Sequence, residues 1–264
     1  NTSGVSLTGT DSGNYTLTQP TLSGDITAKE LTITGLTGDN KNYDGTTTAS
    51  ATGTATLSGV VGGDDVSLGG SPVFTFASAN VGTGITINTS GYTISGTDSG
   101  NYTLTQPTLS GDIITIPPTI TFSNVNKTYG DSNFNLNATS NSSGTITYSI
   151  IGSANETSLS GTNNETVTLG NTGTVTIRAT QAANGIYASA TKDITLTIDK
   201  RAITVTADAD QKKTSGSADP VFTYQITSGS LVSGDSFTGA LSRVAGENTG
   251  KYAITVGTLS LGSN

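Results

Sequence analysis

The most regular feature of the chain is a strict alternation of apolar and polar residues. Leu31 and Ile33 alternate with Thr32 and Thr34, and Val175, Ile177 and Ala179 with Thr174, Thr176 and Arg178. The pattern continues through Ile194, Leu196 and Ile198, then Ile203, Val205 and Ala207, then Tyr252, Ile254 and Val256. A period of two places one set of side chains on each face of a strand, so these runs predict half-buried β-strands. Threonine on the outer face favours the extended backbone and stays hydrated. The stretches GVVGGDD, SNSSG, GNTG and NTGK between runs predict turns, because Gly, Asn, Asp and Ser accept or stabilise turn conformations. No segment predicts a helix longer than about a turn.

The pattern also repeats. GTDSGNYTLTQPTLSGDI occurs at Gly9–Ile26 and again at Gly96–Ile113, identical at 18 positions with an offset of 87. The opening NTSGVSL matches NTSGYTI at Asn88–Ile94, so residue 1 falls inside a repeat unit and the chain is expected to be a window on a longer polypeptide. The residues before Thr27 are accordingly expected to form an incomplete sheet with few internal contacts, resting on the next module or on a partner chain. Four modules follow: residues 1–27 as the end of one repeat, 28–116 as a complete repeat, 117–199 as a third unit, and 200–264 as a fourth that is cut short. Pro117-Pro118 interrupts strand pairing at the second boundary. With only a few residues between strands at ITAKEL and TIDKRAIT, modules in series predict an extended monomer of about 100–130 Å.

Composition narrows the chemistry. Hydrophobic residues are 32% of 264, so each core is thin, yet only 11% are charged, which argues against disorder. The chain has no Cys, His, Met or Trp. Thiolate and imidazole chemistry is thereby excluded, as are the commonest soft metal ligands. Formal net charge is −8, which opposes binding to a phosphate backbone, so nucleic acid is not an expected partner. No apolar stretch is long enough to span a bilayer as a helix, and direct membrane insertion is not expected.

Three module starts share a signature, Lys41-Asn42-Tyr43-Asp44-Gly45, Lys127-Thr128-Tyr129-Gly130-Asp131 and Lys213-Thr214-Ser215-Gly216-Ser217. Module ends place a turn before Tyr102, Tyr187 and Tyr252, and the partial first unit does the same before Tyr15. Tyrosines beside Gly-Asp turns, Tyr43 and Tyr129, suit either a sugar-binding shelf or a corner with a buried ring and a bonded hydroxyl, and the corner is the commoner device; Tyr15, Tyr102, Tyr187 and Tyr252 recur at one position per module, as structural residues would. Asp64 and Asp65, Asp208 and Asp210, and Asp11 and Asp98 are the candidates for calcium. Their spacing matches no EF-hand and no glycine-rich nonapeptide, so they read as turn formers, and no cofactor or metal site is assigned. Paired carboxylates across a cleft are not indicated, and no catalytic residue is expected. A Lys-to-Asn amide crosslink at Lys41 or Lys127 is chemically allowed, but no spacing selects its partner. Sequons such as Asn14-Tyr15-Thr16 and Asn101-Tyr102-Thr103 follow from an Asn- and Thr-rich composition.

KNYDGTT with SGNYTL, in Ala28–Ile113, resembles the YDG repeat module of very long bacterial surface adhesins. KTYGDSNFNL through GTVTIRATQAANGIYASA resembles a bacterial immunoglobulin-like module, and DADQKKTSGSADPVFTYQITSG with RVAGENTGKYAIT resembles the MBG module, with Ser215 where that pattern usually has Tyr. The resemblance implies an all-β chain of tandem immunoglobulin-like or related β-sandwich modules arranged as an extended rod. It implies a non-catalytic stalk that holds a distal surface- or glycan-binding region away from a bacterial cell, with neighbouring modules and a secretion or anchoring machinery as partners. A gliding-motility adhesin is a special case of that reading. A carbohydrate-binding accessory module and a subunit of a self-assembling fibre or coat are the rivals.

Overall fold

A computed structural model describes residues 4–19 and 21–262; Asn1, which matches a position inside a repeat unit, and Asn264, the last residue of the unit expected to be cut short, lie outside them. The fold is all-β. The helical elements among the described residues are two single 3-10 turns, Ser12–Asn14 and Ser99–Asn101. The chain separates into two units, Asn1–Ile116 and Pro117–Asn264.

In the first unit the strands are β1 (Lys29–Gly38), β2 (Lys41–Asn42), β3 (Thr48–Ala49), β4 (Ala51–Ser58), β5 (Ser67–Phe76), β6 (Gly82–Ser95), β7 (Tyr102–Thr105) and β8 (Thr108–Ile114). They form a three-stranded sheet, β4-β1-β7, and a five-stranded sheet, β2-β8-β6-β5-β3. Leu31 and Ile33 are buried as the alternation predicts, and Phe76, Ile87 and Ile113 form a second small cluster. Most pairs are antiparallel, but β7 runs parallel to β1 and β8 parallel to β2. A parallel pair cannot be joined by a tight turn, so the last strands of the module close it by docking beside the first.

Both long antiparallel pairs bend at crossed glycines. Gly35 and Gly53 face each other at the bulge between β1 and β4, and a Cβ on Gly53 would lie 2.1 Å from the Gly35 carbonyl oxygen. Gly70 and Gly91 do the same between β5 and β6. Bulges of this kind turn a strand from one sheet toward the other, which lets a module with so few apolar residues enclose a core.

The second unit begins with β9 (Ile120–Thr121), β10 (Val125–Thr128), β11 (Phe134–Asn135), β12 (Thr139–Ser140), β13 (Ile146–Ile151), β14 (Ser158–Ser160), β15 (Thr166–Thr168), β16 (Gly173–Gln181) and β17 (Ala190–Asp199). Its main sheet is β10-β17-β16-β13, with β10 again parallel to the last strand. Val175, Ile177, Ala179, Ile194, Leu196 and Ile198 all point into the largest core of the chain, as their period predicts.

The remainder holds β18 (Thr204–Ala207), β19 (Tyr224–Ser228), β20 (Phe237–Thr238), β21 (Ser242–Arg243), β22 (Ile254–Thr255) and β23 (Ser260–Leu261), joined only as two-stranded pairs. Here the alternation over-predicts. The run at Tyr252–Val256 forms only the two-residue β22, and Val256 is 65% exposed, because its partner β21 is equally short and no second layer covers that face.

The expectation of an incomplete sheet before Thr27 is also corrected. Among the described residues of this segment there is no strand, and all but Ser12 are exposed. The hydrogen bonds of its described residues stay within the segment.

Candidate functional site

At two of the three module starts the signature holds a lysine ammonium over an aromatic ring. Lys41 donates from Nζ to Asp44 Oδ1 at 2.8 Å, to the Thr46 carbonyl at 2.7 Å and to Thr46 Oγ1 at 3.1 Å. Its ammonium stands 5.6 Å from the centre of the Phe76 ring. The Lys41 bond, with donors from Thr46, holds the Asp44 carboxyl down to about 2. Three acceptors use the three ammonium protons, and no Asn carboxamide is among them, so this geometry offers an ion pair where the crosslink would require an Asn. Lys127 lies 4.7 Å over the Phe134 ring, a cation–π contact of the same kind.

Tyr43 and Tyr129 are half-buried against the two main apolar clusters rather than displayed as open aromatic faces. The Tyr129 hydroxyl donates to Asp235 Oδ1 at 3.3 Å, and Arg201 donates to the Tyr129 carbonyl at 3.1 Å. Burial, and then the nearby Asp235 charge, push the Tyr129 phenol up. These residues border a cleft of about 210 Å³ with Ile203, Val232 and Leu261. Its wall is tight at Gly130, where a Cβ would meet Val232 Cγ2 at 2.2 Å.

Tyr102 is the clearest corner. It is 7% exposed, its hydroxyl donates to Asp64 Oδ2 at 2.5 Å, and it accepts from the Val61 amide at 3.0 Å. The Asp64 bond raises the phenol above its usual range. Tyr187 and Tyr252 are partly buried, and the Tyr252 hydroxyl donates to the Asn248 carbonyl at 2.9 Å. Tyr15 departs from the structural role expected of it: it is 72% exposed, because nothing in its own segment supplies the acceptor and amide that Asp64 and Val61 give Tyr102.

Within the first unit the structure brings together Asp64, Asp65 and Asp98, and the Asp11 side chain makes no hydrogen bond to them among the described residues; Asp208 and Asp210 belong to the second unit. Asp98 Oδ2 accepts from the Asp65 amide at 2.8 Å, and Asp65 Oδ2 accepts from the Thr97 amide and hydroxyl at 3.1 Å each. These carboxylates lace the 59–66 loop to the 96–101 turn. Among the described residues no three acidic side chains converge as a metal site.

Sequence reasoning missed the charge network of the last module. Lys213 pairs with Asp219 at 3.1 Å and Glu247 at 2.9 Å, while Arg243 pairs with the same two carboxylates at 2.8 and 2.7 Å. Arg243 also lies 5.2 Å over the Tyr252 ring. Its signal was present as the i,i+4 pair in RVAGE and the signature lysine. Phe222 is the one buried apolar side chain among the described residues after 200, so this partly exposed network stands where the other modules have an apolar core. Arg243 and Lys213 lower the Asp219 carboxyl, and Lys213 and Arg243 lower that of Glu247. Depressed carboxylates stabilise the fold above their ordinary range and lose that contribution as pH falls through the depressed values. Acidification below about pH 4 is therefore expected to loosen residues 200–264 while the 117–199 core persists. Amide spectra followed from pH 6 to pH 2 check this; unshifted Val244, Gly246 and Ala253 signals would contradict it.

Residues 27–110 match the YDG domain and residues 203–264 match the MBG domain of the YGX type. A search of curated proteins finds no match. Among solved structures, Drosophila N-cadherin EC1-3 is 11% identical, with 67% of this chain and 70% of that chain covered, at a TM-score of 0.26. The titin I9-I11 tandem is 11% identical over 64% and 66%, at 0.24. The titin I67-I69 structure, an E-to-A variant, is 10% identical over 84% of each chain, at 0.23.

Proposed function

We propose, from the premise that this chain joins a YDG domain to an MBG domain, that it is a non-catalytic stalk segment of a long bacterial surface adhesin. It works outside the cell, extending a distal binding region whose surface or glycan ligand contacts residues beyond this segment. Its partners are further modules of the same polypeptide and the machinery that secretes and anchors it. The observation that carries the reading is the near-verbatim duplication, immediately before the YDG domain, of the stretch 88–113 that ends it. Duplicated modules suit a part whose task is length, since each adds the same increment.

Two measurements test this. Antibodies to the chain should label intact producing cells, and the purified chain should be silent on a glycan array. Labelling only after permeabilisation would remove the surface role. Glycan binding by the isolated chain would favour a carbohydrate-binding module instead.

A further inference from the structure

The Lys-x-Tyr signature at two module starts makes the same connection in both. Lys41 and Asn42 of β2 stand in register with Ile113 and Ile114 at the end of β8, and the Tyr43 amide then donates to the Ile114 carbonyl at 2.9 Å. Lys127 and Thr128 of β10 stand in register with Ile198 and Asp199 at the end of β17, and the Tyr129 amide donates to the Asp199 carbonyl at 2.9 Å. Both ladders are parallel. In each, the signature lysine pairs with a buried isoleucine, Ile113 at 1% and Ile198 at 2% exposure, and the signature tyrosine packs against the core of its module. Turn preference alone does not require this, since the paired strands come from opposite ends of the module's sequence. The third copy, Lys213-Thr214-Ser215, lacks the tyrosine and sends its lysine to Asp219 and Glu247 instead.

The direction of pairing has a mechanical consequence. The chain enters the first module at Ala28, before β1, and leaves it beyond β8; it enters the next before β9 and leaves it at Asp199. When the first and last strands are parallel, the points where the chain enters and leaves lie at opposite ends of the ladder, so tension slides one strand along the other. The ladder bonds lie across that pull and are loaded together. An antiparallel pair of first and last strands would put both points at one end and open bond by bond. In the first module β1 adds a second ladder of the same sense, residues 29–32 beside 102–105.

We infer that the Lys-x-Tyr signature is a force-bearing clamp, which fastens the start of a module to its last strand so that tension along the polypeptide is carried in shear. The lysine over Phe76 or Phe134 and the half-buried tyrosine beside it both resist slipping, because each must leave its aromatic or apolar seat before the ladder can move. The clamp deepens the stalk reading, in which tension passes through every module. The two fail separately, since cell labelling tests the stalk and the purified chain tests the clamp.

The chain has no cysteine, so an introduced pair fixes where force is applied. Handles on the full chain at Ala28→Cys and Pro117→Cys load the first module along its strands, whereas handles at Asn42→Cys and Pro117→Cys peel the β2–β8 ladder from its end; all three positions are exposed. In an optical trap the unfolding force should be at least about twofold higher in the first geometry, because forced unfolding follows the barrier met along the pull and the stability of the module is common to both. In that geometry Tyr43→Ala should lower the force more than Phe74→Ala, which removes a half-buried ring from the same core but outside the β2–β8 ladder. Should Tyr43→Ala fail to fold, the comparison of the two geometries decides alone. Equal forces in the two geometries overturn the clamp, as does an equal loss of force from Tyr43→Ala and Phe74→Ala.

Discussion

Leu196→Ala should unfold the 117–199 module well below the melting temperature of the parent. Leu196 is fully buried on β17, with Val125 of β10 on one side and Val175 of β16 on the other. Both flanking strands are pinned by the ladder, so the neighbours cannot collapse into the space left by the missing atoms. Removing such a side chain costs about 2–5 kcal/mol from lost transfer energy plus the cavity. For a module of this size that corresponds to a fall of roughly 10–30 °C. Val221→Ala, at an 85% exposed position, is the matched control and should change stability by less than about 0.5 kcal/mol. Calorimetry distinguishes the two; equal melting of both variants would mean that the sheet is not the stability core of the second unit.

Gly53→Val should cost the first unit about 3–5 kcal/mol through strain and overpacking together. Gly53 holds φ +104, and its missing Cβ would sit 2.1 Å from the Gly35 carbonyl oxygen, which is backbone and cannot swing away. A β-branched residue there must straighten the bulge, and straightening moves β4 out of register with β1. Amide spectra should show the first unit's signals collapse while those of Ile177 and Leu196 stay in place. Retained signals for Leu31 and Ile33 would show that the bend is dispensable.

Gly9–Ile26 and Gly96–Ile113 separate what the sequence determines from what the tertiary structure decides, because one amino-acid string stands in two settings. Everything settled within a few residues is the same in both. Gly9 has φ 122 and Gly96 has φ 119, and the 3-10 turn that follows makes the same amide bonds, Asn14 to the Asp11 carbonyl and Asn101 to the Asp98 carbonyl. Those contacts close a small loop at small entropic cost, so glycine freedom and the Asp-Ser-Gly-Asn order suffice. Alternation was equally legible where a strand lies between two others, as at Val175–Ala179, since a period of two needs only a second layer to bury.

The remainder depended on partners distant in sequence. YTLTQPTLSGDI forms β7 and β8 after residue 101 and, among the described residues, no strand after residue 14, because a strand's hydrogen bonds lie outside itself and only the second copy has β1, β2 and β6 beside it. The tyrosine role follows the same rule: Tyr102 became a corner when Asp64 and Val61 reached it across about 40 positions, and Tyr15 has no such neighbours. Within the charge network of residues 213–247 only the Arg243–Glu247 pair is local; Lys213 and Glu247 lie 34 positions apart and meet only in the folded module. Composition and period fixed which residues suit a strand or a turn; the tertiary structure decided which of them find the groups that let them act as one, because a β-sheet stores its stabilising bonds between segments rather than within them.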